Sequence, residues 1–430
     1  MPNSPEPIAI IGAGIAGLTL ALSLHHYSIP SVIYEMRPES HLTPGPIMLA
    51  PNALRIFDKL GVYERIRDAG FPIEGLTFSQ TVQQKQKDSA KEDSVGCEKQ
   101  EQIKVKKVDD WLIGHEKMYG YKALRIMRQS VLVVLRALCA DVGIPIHYSK
   151  CFSHITLESP TSVSFAFTDG STATTPFLVG ADGIWSRIRS IVVPDPEKAE
   201  PVWAGGLAIT ATVKAEAINL PNPLQDGNEG WGLPNIMSSN AGVVLIVPYT
   251  LDGKLIQLAR QWPWENLSKD GWKKLASDKQ FLHDQLLRDL EVWPEPVRRG
   301  LEKLEKESIV VWPYYSLPKL ERWRSEKGRV IIVGDAAHAV PPMAGQGACQ
   351  GVEGAWSLAG ATLNDALNLW EKQRQEHVAK VVQLTKDLNS LRLPLQERDK
   401  LGLSEEFWRN VMGRNGELMW LYGNGGIETL

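Results

Sequence analysis

The sequence predicts an α/β protein in which a parallel-sheet unit is interrupted by a β-rich insertion and closed by C-terminal helices. Three observations carry this reading. Residues Ile8 to Glu35 run strand, glycine turn, helix, strand. From about residue 195 to 320, prolines become frequent and apolar residues alternate. At Arg329 to Val333 a continuous apolar strand returns, followed by Gly334-Asp335. Interruption and resumption predict a discontinuous first domain of residues 1–75, 109–192 and 322–390. The second, sheet-based domain comprises 76–108 and 193–321, and a helical segment 391–430 completes the chain.

The first stretch is the most informative. Ile8, Ala9, Ile10 and Ile11 form the uninterrupted apolar run of a strand buried on both faces. Gly12, Gly14 and Gly17 follow at GxGxxG spacing, and Ile15 to Tyr27 carries apolar residues at helical spacing. Val32, Ile33 and Tyr34 form the next strand, which Glu35 closes. In such a unit the first glycine permits the turn. The second lets the backbone approach a pyrophosphate, and the third lets helix and strand lie close. The helix N-terminus offers free N–H groups and partial positive charge to the same phosphates. A carboxylate at Glu35 accepts the ribose hydroxyls and repels a 2′-phosphate, which disfavours NADP in this first site. The glycines and the acid therefore predict a Rossmann-type dinucleotide site. By themselves they leave NAD and FAD both open.

The remaining elements follow in chain order. Met36 to Pro51, with four prolines and one glycine, reads as loop. Asn52 to Leu60 and Val62 to Ala69 read as short helices ended by Gly61 and Gly70. Leu76 and Phe78, then Ile103, Val105 and Val108, read as strand ends flanking a polar insert, Gln83 to Gln102. That insert alternates charged and amide residues and is expected to be a solvated hairpin tip or a disordered loop rather than a lid or partner tail. Leu124 to Asp141 is predicted as an amphipathic helix with Arg128 in its first turns. Ile144 to Tyr148 is a strand, Asp169-Gly170 joins a hairpin, and Phe177 to Val179 is another buried strand leading into Gly180-Ala181-Asp182-Gly183. Leu207 to Val213, Val243 to Val247 and Leu255 to Arg260 read as antiparallel strands. Trp262-Pro263-Trp264 reads as loop and Phe281 to Leu290 as helix. Ala355 to Leu388 and Glu405 to Leu421 are predicted to be helical.

Composition bounds the function. The 430 residues are 43% hydrophobic and 23% charged, ordinary for a globular enzyme. A net charge of −3 gives no electrostatic case for nucleic acid or an anionic membrane. The four cysteines show no CxxC spacing, so no metal site and a reducing compartment are expected. No apolar run approaches a membrane span, and Met1 to Pro7 lacks the pattern of a signal peptide, so a cytoplasmic location is the expectation.

Three motifs occur in order: the glycine turn at 12–17; Asp182-Gly183-Ile184-Trp185-Ser186-Arg187-Ile188-Arg189 after a strand; and Gly334-Asp335-Ala336-Ala337-His338, followed by Pro341-Pro342 and Gly345-Gln346-Gly347. With them the chain resembles the class A FAD-dependent monooxygenases, the aromatic hydroxylases, with salicylate-hydroxylase-like and fungal secondary-metabolite members the nearest in character. The resemblance runs from the first strand to about residue 360. It implies the aromatic hydroxylase fold and tightly bound FAD. Gly12, Gly14, Gly17 and Glu35 would hold the ADP part, with Arg37 beside them. Arg128 would meet the pyrophosphate and ribityl chain, and Asp335 would bond the ribityl hydroxyls. Met48 and the Pro342 to Ala348 turn, including Gly345 and Gly347, would face the ring. Asp182 would shape the cleft. Arg187 and Arg189 read partly as a solvated face, and His338 as structural. Cys349 stands where family members often have Asn.

The implied reaction uses O2 and a transient NADPH or NADH, passes through a flavin hydroperoxide, and hydroxylates or epoxidises an aromatic or polycyclic small molecule. A flavin oxidase or dehydrogenase on the same scaffold is the alternative. On the insertion, Trp231, Tyr249 and Tyr314 are candidate substrate residues, with Tyr249 the candidate catalytic hydroxyl. Leu207-Ala208-Ile209-Thr210 offers no cation where some phenol hydroxylases carry an arginine, which favours a neutral, apolar substrate. A monomer or homodimer is expected.

Overall fold

The computed structural model describes residues 6–84, 102–193, 195–221, 229–363, 366–390 and 418–423. Its centre is a five-stranded parallel sheet in the order Val330–Ile332, Leu178–Gly180, Ile8–Ile11, Ser31–Tyr34, Ile146–His147. Ile8–Ile11 is buried along its whole length, as a strand covered on both faces requires. The helix Ile15–His26 follows it and packs against the helices Arg128–Asp141 and Gly347–Leu363. Strands from the beginning, middle and end of the chain therefore share one sheet, and their carboxyl ends open on one side.

Two small antiparallel sheets flank this centre. One joins Phe152–Glu158, Val163–Phe167 and Thr172–Thr175 around the Asp169-Gly170 turn. The other sets Ala123–Met127 between Pro46–Leu49 and Phe71–Ile73. This second sheet corrects two expectations. The helix predicted from Leu124 begins at Arg128, and the loop predicted over 36–51 contains a strand. Leu124 and Ile126 alternate into the core beside two edge strands, and that pairing outweighs the accidental helical spacing of Leu124 with Met127 and Val131. Phe152–Glu158 was not anticipated, because its mostly polar residues leave no apolar run to read.

The insertion forms a seven-stranded sheet in the order Val310–Ser316, Val202–Lys214, Leu255–Pro263, Gly242–Pro248, Asn235–Ser239, Leu76–Gln84, Gln102–Trp111. All pairings are antiparallel except Asn235–Ser239 with Leu76–Gln84. Trp262 and Pro263 extend a strand rather than forming a loop, and Trp262 pairs with Leu207. The sheet has two different faces. Leu207, Ile209, Val213, Met237, Val244, Ile246 and Leu258 pack on the helices Lys279–Leu286 and Glu295–Glu302 as one core. Ala208, Ile236, Val243, Val247 and Tyr314 turn the other way and join the core of the parallel-sheet unit. Between those strands and that unit lies a cavity.

Most of the polar insert, residues 85–101, lies outside the described residues, as does most of the Glu405 to Leu421 helix; of its end, Met419–Tyr422 forms a helical turn. Leu367–Ser390 is a long helix after Gly347–Leu363, as expected for this stretch. Among the described residues no helix is long and apolar enough to cross a membrane.

Candidate cofactor cleft and active site

The glycine turn leaves the first strand at the carboxyl edge of the parallel sheet. Gly12 has φ +110°, and a Cβ there would lie 2.5 Å from the Ala181 carbonyl oxygen. A Cβ on Gly17 would lie 2.0 Å from the Gly12 carbonyl oxygen. Strand, turn and helix can be this close only with hydrogen at both positions. Gly14 differs: a Cβ built on it meets nothing within 4 Å. Its neighbourhood is open on the side where a diphosphate would approach. Glu35 reaches back into the turn, accepting from the Ala13 N–H at 2.7 Å and from the Arg37 N–H at 2.9 Å. The acid thus braces the glycine turn as well as standing at the end of its strand. Arg37 itself is exposed, its guanidinium against His41.

The second motif abuts the first. The Ala181 N–H donates to Ile11 O, and the Asp182 Cα lies 3.2 Å from the Cβ position of Gly12. Asp182 Oδ2 accepts the Arg187 N–H at 2.9 Å, whereas Oδ1 is enclosed and has no hydrogen-bond partner among the described residues. Burial raises its carboxyl above the ordinary carboxylate range, and the hydroxyl of Ser186 offsets part of that rise. Arg189 corrects the solvated-face reading, since it is completely buried. Its guanidinium donates to the carbonyls of Lys198, Ala199, Pro318, Ala336 and Ala337. It therefore ties the Asp182 motif to the Gly334-Asp335 motif.

Gly334 and Asp335 follow the edge strand Val330–Ile332 and lie beside the first helix, the Cβ position of Gly334 being 2.9 Å from Ala16 Cβ. Asp335 keeps exposed surface although protein packs closely around its carboxyl. That enclosure raises its carboxyl above the usual range, and the Arg128 cation pulls it partly back. Arg128 opens its helix, donates its N–H to Gly45 O at 3.0 Å, and holds its guanidinium 5.8 Å from the Trp312 ring centre. Burial lowers the Arg128 pKa, with Asp335 opposing. His338 is buried against Trp323, ring centres 5.2 Å apart, and burial followed by Arg374 drives its pKa down to about 3. It is neutral at any ordinary pH, in keeping with a structural role.

The third motif forms one wall of a cavity of about 80 Å³. Pro342, Met343, Ala344, Gly345 and Gln346 line it, and the helix Gly347–Leu363 starts directly behind them. Met48 lies on the opposite lip, its Cβ 3.5 Å from the Cβ position of Gly345. Cys349 connects the two lips: its Sγ accepts the Ala50 N–H at 3.3 Å and sits 3.7 Å from Met48 O. Burial raises this thiol to about 12, so it is a packing and hydrogen-bonding group rather than a nucleophile. Met48, Pro342 and Gly345 thus meet at the cavity; Gly347 and Ala348 stand just behind its lining.

The insertion supplies the facing wall through Leu76, Trp111, Ile236, Leu245 and Val247, with Ile113 alongside. The three aromatic candidates are elsewhere. Trp231 packs in the core on the far face of the seven-stranded sheet. The Tyr249 hydroxyl lies beyond the end of its strand and shares a 3.1 Å hydrogen bond with Thr212 Oγ1. Tyr314 is nearer, its hydroxyl accepting from Gln261 Nε2, which also lies 3.7 Å from the Met343 sulfur, but it does not line the cavity. Position along the strand explains Tyr249. It has the parity of Leu245 and Val247, which line the cavity, but it stands past the last strand residue, Pro248, and beyond the lining. Sequence reasoning missed Arg125, Gln257 and Tyr422. Arg125 and Tyr422 line the cavity, and Gln257 accepts from the Arg125 guanidinium. Arg125 was hidden by the mistaken helix, and Tyr422 lies far beyond the last motif.

The chain matches the FAD binding domain family over residues 6–385. It is 26% identical to FAD-dependent monooxygenase ausM of Penicillium brasilianum, over 91% of this chain and 76% of that protein. It is 25% identical to 3-hydroxybenzoate 6-hydroxylase 1 of Aquipseudomonas alcaligenes, over 82% of this chain and 79% of that protein. Among solved structures it resembles Klebsiella pneumoniae HpxO complexed with FAD and uric acid, with a TM-score of 0.73 at 20% identity, covering 98% of this chain and 96% of that one.

Proposed function

The chain belongs to the FAD binding domain family, and from that premise we propose that it is an NAD(P)H-dependent monooxygenase placing one atom of O2 on an aromatic or polycyclic small molecule. The observation that carries the reading is the cavity itself. It lies between the Pro342–Gln346 turn and an apolar sheet face. The cleft fits FAD. The open space at Gly14 is where a bound diphosphate would lie, and the exposed Asp335 and the unpartnered Asp182 Oδ1 are polar groups left for such a ligand's surroundings.

In this reading Gly12, Gly14, Gly17 and Glu35 hold the ADP part, with Arg37 at its rim. Arg128 and Asp335 hold the linking chain. Met48, Pro342, Gly345, Gly347 and Ala348 surround the ring. Bound FAD supplies the electron and oxygen chemistry. The protein's own residues do the rest. The N-terminus of the helix Gly347–Leu363 favours negative charge at the ring's edge. Leu245, Val247, Ile236 and Trp111 exclude water and receive the apolar body of the substrate. The parallel-sheet unit is the cofactor domain and the seven-stranded sheet the substrate domain.

The test is to purify the protein, record its flavin absorbance, and screen aromatic compounds for stimulation of NADPH or NADH oxidation. In labelled dioxygen, the product is expected to carry one labelled oxygen atom. Hydrogen peroxide with unlabelled product would instead identify a flavin oxidase or dehydrogenase. Colourless protein that takes up no added FAD would end the reading.

A further inference from the structure

One cation at the cavity has no assigned task. Arg125 is the central residue of the middle strand Ala123–Met127, paired with Met48 on one side and Phe71 on the other. Its neighbours Leu124 and Ile126 point into the core, so alternation turns Arg125 the opposite way, onto the cavity. It is the only charged residue among those described as lining that space. Its guanidinium crosses to the insertion and donates to Gln257 Oε1, a neutral acceptor on the seven-stranded sheet. Its Nε is enclosed and has no acceptor among the described residues. No carboxylate among the described residues pairs with it; the charge that acts on it is a second cation, Arg128. Burial and that repulsion bring its pKa down to about 10, which still leaves it charged at neutral pH.

An enclosed guanidinium without an anion is costly. Arg189 meets that cost with five carbonyls. Arg125 has one neutral side-chain acceptor and an Nε with none among the described residues, which leaves room for an anionic ligand. The planar fork suits two parallel hydrogen bonds to a carboxylate, or a single bond to a phenolate. The other walls, Leu76, Trp111, Ile236, Leu245 and Val247, suit an apolar ring.

We propose that Arg125 is the substrate-anchoring cation of this site, and that it selects an aromatic substrate carrying an anionic oxygen, a carboxylate or phenolate. The proposal rests on the monooxygenase reading and reverses the expectation of a neutral substrate. That expectation considered only the strand at 207–210. The cation enters instead from the small antiparallel sheet of the cofactor unit and is held across the gap by Gln257.

The test uses the FAD-loaded protein. FAD content is measured first, in wild type, Arg125→Gln and Arg125→Lys. Flavin difference spectra then follow titration with 2-hydroxybenzoate, 3-hydroxybenzoate and 1-hydroxy-2-naphthoate, each against its neutral amide. Wild type is expected to bind at least one acid more tightly than its amide, by about tenfold to a hundredfold, as for one charge-assisted hydrogen-bonding pair. Arg125→Gln should erase that preference at unchanged FAD content, and Arg125→Lys should keep part of it. The proposal is overturned by equal binding of acid and amide in wild type, by a preference that survives in Arg125→Gln, or by wild type that responds to none of the probes. Loss of FAD from Arg125→Gln alone assigns the residue to the cofactor and also overturns it. Should that variant fail to fold, the wild-type comparison decides. Wild type that holds no FAD refutes the monooxygenase reading itself, and this is seen before any probe is added.

Discussion

Gly14 and Gly17 lie three residues apart in one turn, yet substituting each by alanine should break different things. At Gly17 the new methyl would sit 2.0 Å from the Gly12 carbonyl oxygen and 3.3 Å from Ala181 Cβ. The first contact is with backbone, so no side chain can swing away. Helix and turn must part by about 1 Å before the contact reaches a tolerable length. Overpacking of this kind costs about 3 kcal/mol. In a chain of this size that corresponds to a fall of about 3 °C in the melting temperature of the FAD-free protein. At Gly14 the methyl meets nothing within 4 Å, and the backbone there is in the extended region open to any residue. FAD-free Gly14→Ala should therefore unfold within about 0.5 kcal/mol of wild type. The methyl would instead hold the pyrophosphate away from the helix N-terminus. Loss of one hydrogen bond to a charged group predicts FAD binding weaker by about tenfold to a hundredfold. Differential scanning fluorimetry of the FAD-free proteins and FAD titration by fluorescence measure the two effects separately. A Gly14→Ala variant that binds FAD like wild type would refute the placement of the diphosphate. A Gly17→Ala variant of wild-type stability would refute the packing argument.

Arg189→Met should destabilise the protein by about 3 to 5 kcal/mol in urea unfolding, because five carbonyls lose a buried charged donor. A loss under about 1 kcal/mol would show that the strut is dispensable. His338 stays neutral down to about pH 3, whereas in the unfolded chain it protonates near 6.5. Its contribution is therefore fully present above about pH 6.5 and is lost as pH falls toward 3, because the unfolded state binds the extra proton. Comparing pH 7 with pH 5, His338→Gln should lose about 2 kcal/mol less stability than wild type, and parallel declines would contradict that assignment. Tyr249→Phe removes a hydroxyl bonded to Thr212, at a cost of about 1 kcal/mol in stability. Turnover should stay at the wild-type level, and a tenfold loss would return that hydroxyl to the active site.

What the sequence determined by itself is the parallel-sheet half of the molecule. Its signals are local. A strand buried on both faces must be continuously apolar, as Ile8–Ile11 is, and a turn as tight as that at Gly12 and Gly17 excludes every side chain. Asp182 and Asp335 were legible for the same reason, each standing where a buried parallel strand ends. The wall that the seven-stranded sheet presents to the cavity was decided only by tertiary structure. Tyr249 and Leu245 share one parity in the same stretch, and nothing nearby in sequence says which of them reaches the cavity; where the strand ends and what lies across the gap do. Arg125 was read as part of a helix because Leu124, Met127 and Val131 share helical spacing. Pairing with Pro46–Leu49 and Phe71–Ile73, residues about 50 to 80 positions earlier, made it a strand and turned its guanidinium to the cavity. Spacing fixes what a segment can do with its own backbone. Where a side chain points, and what faces it, depends on segments that meet only after folding.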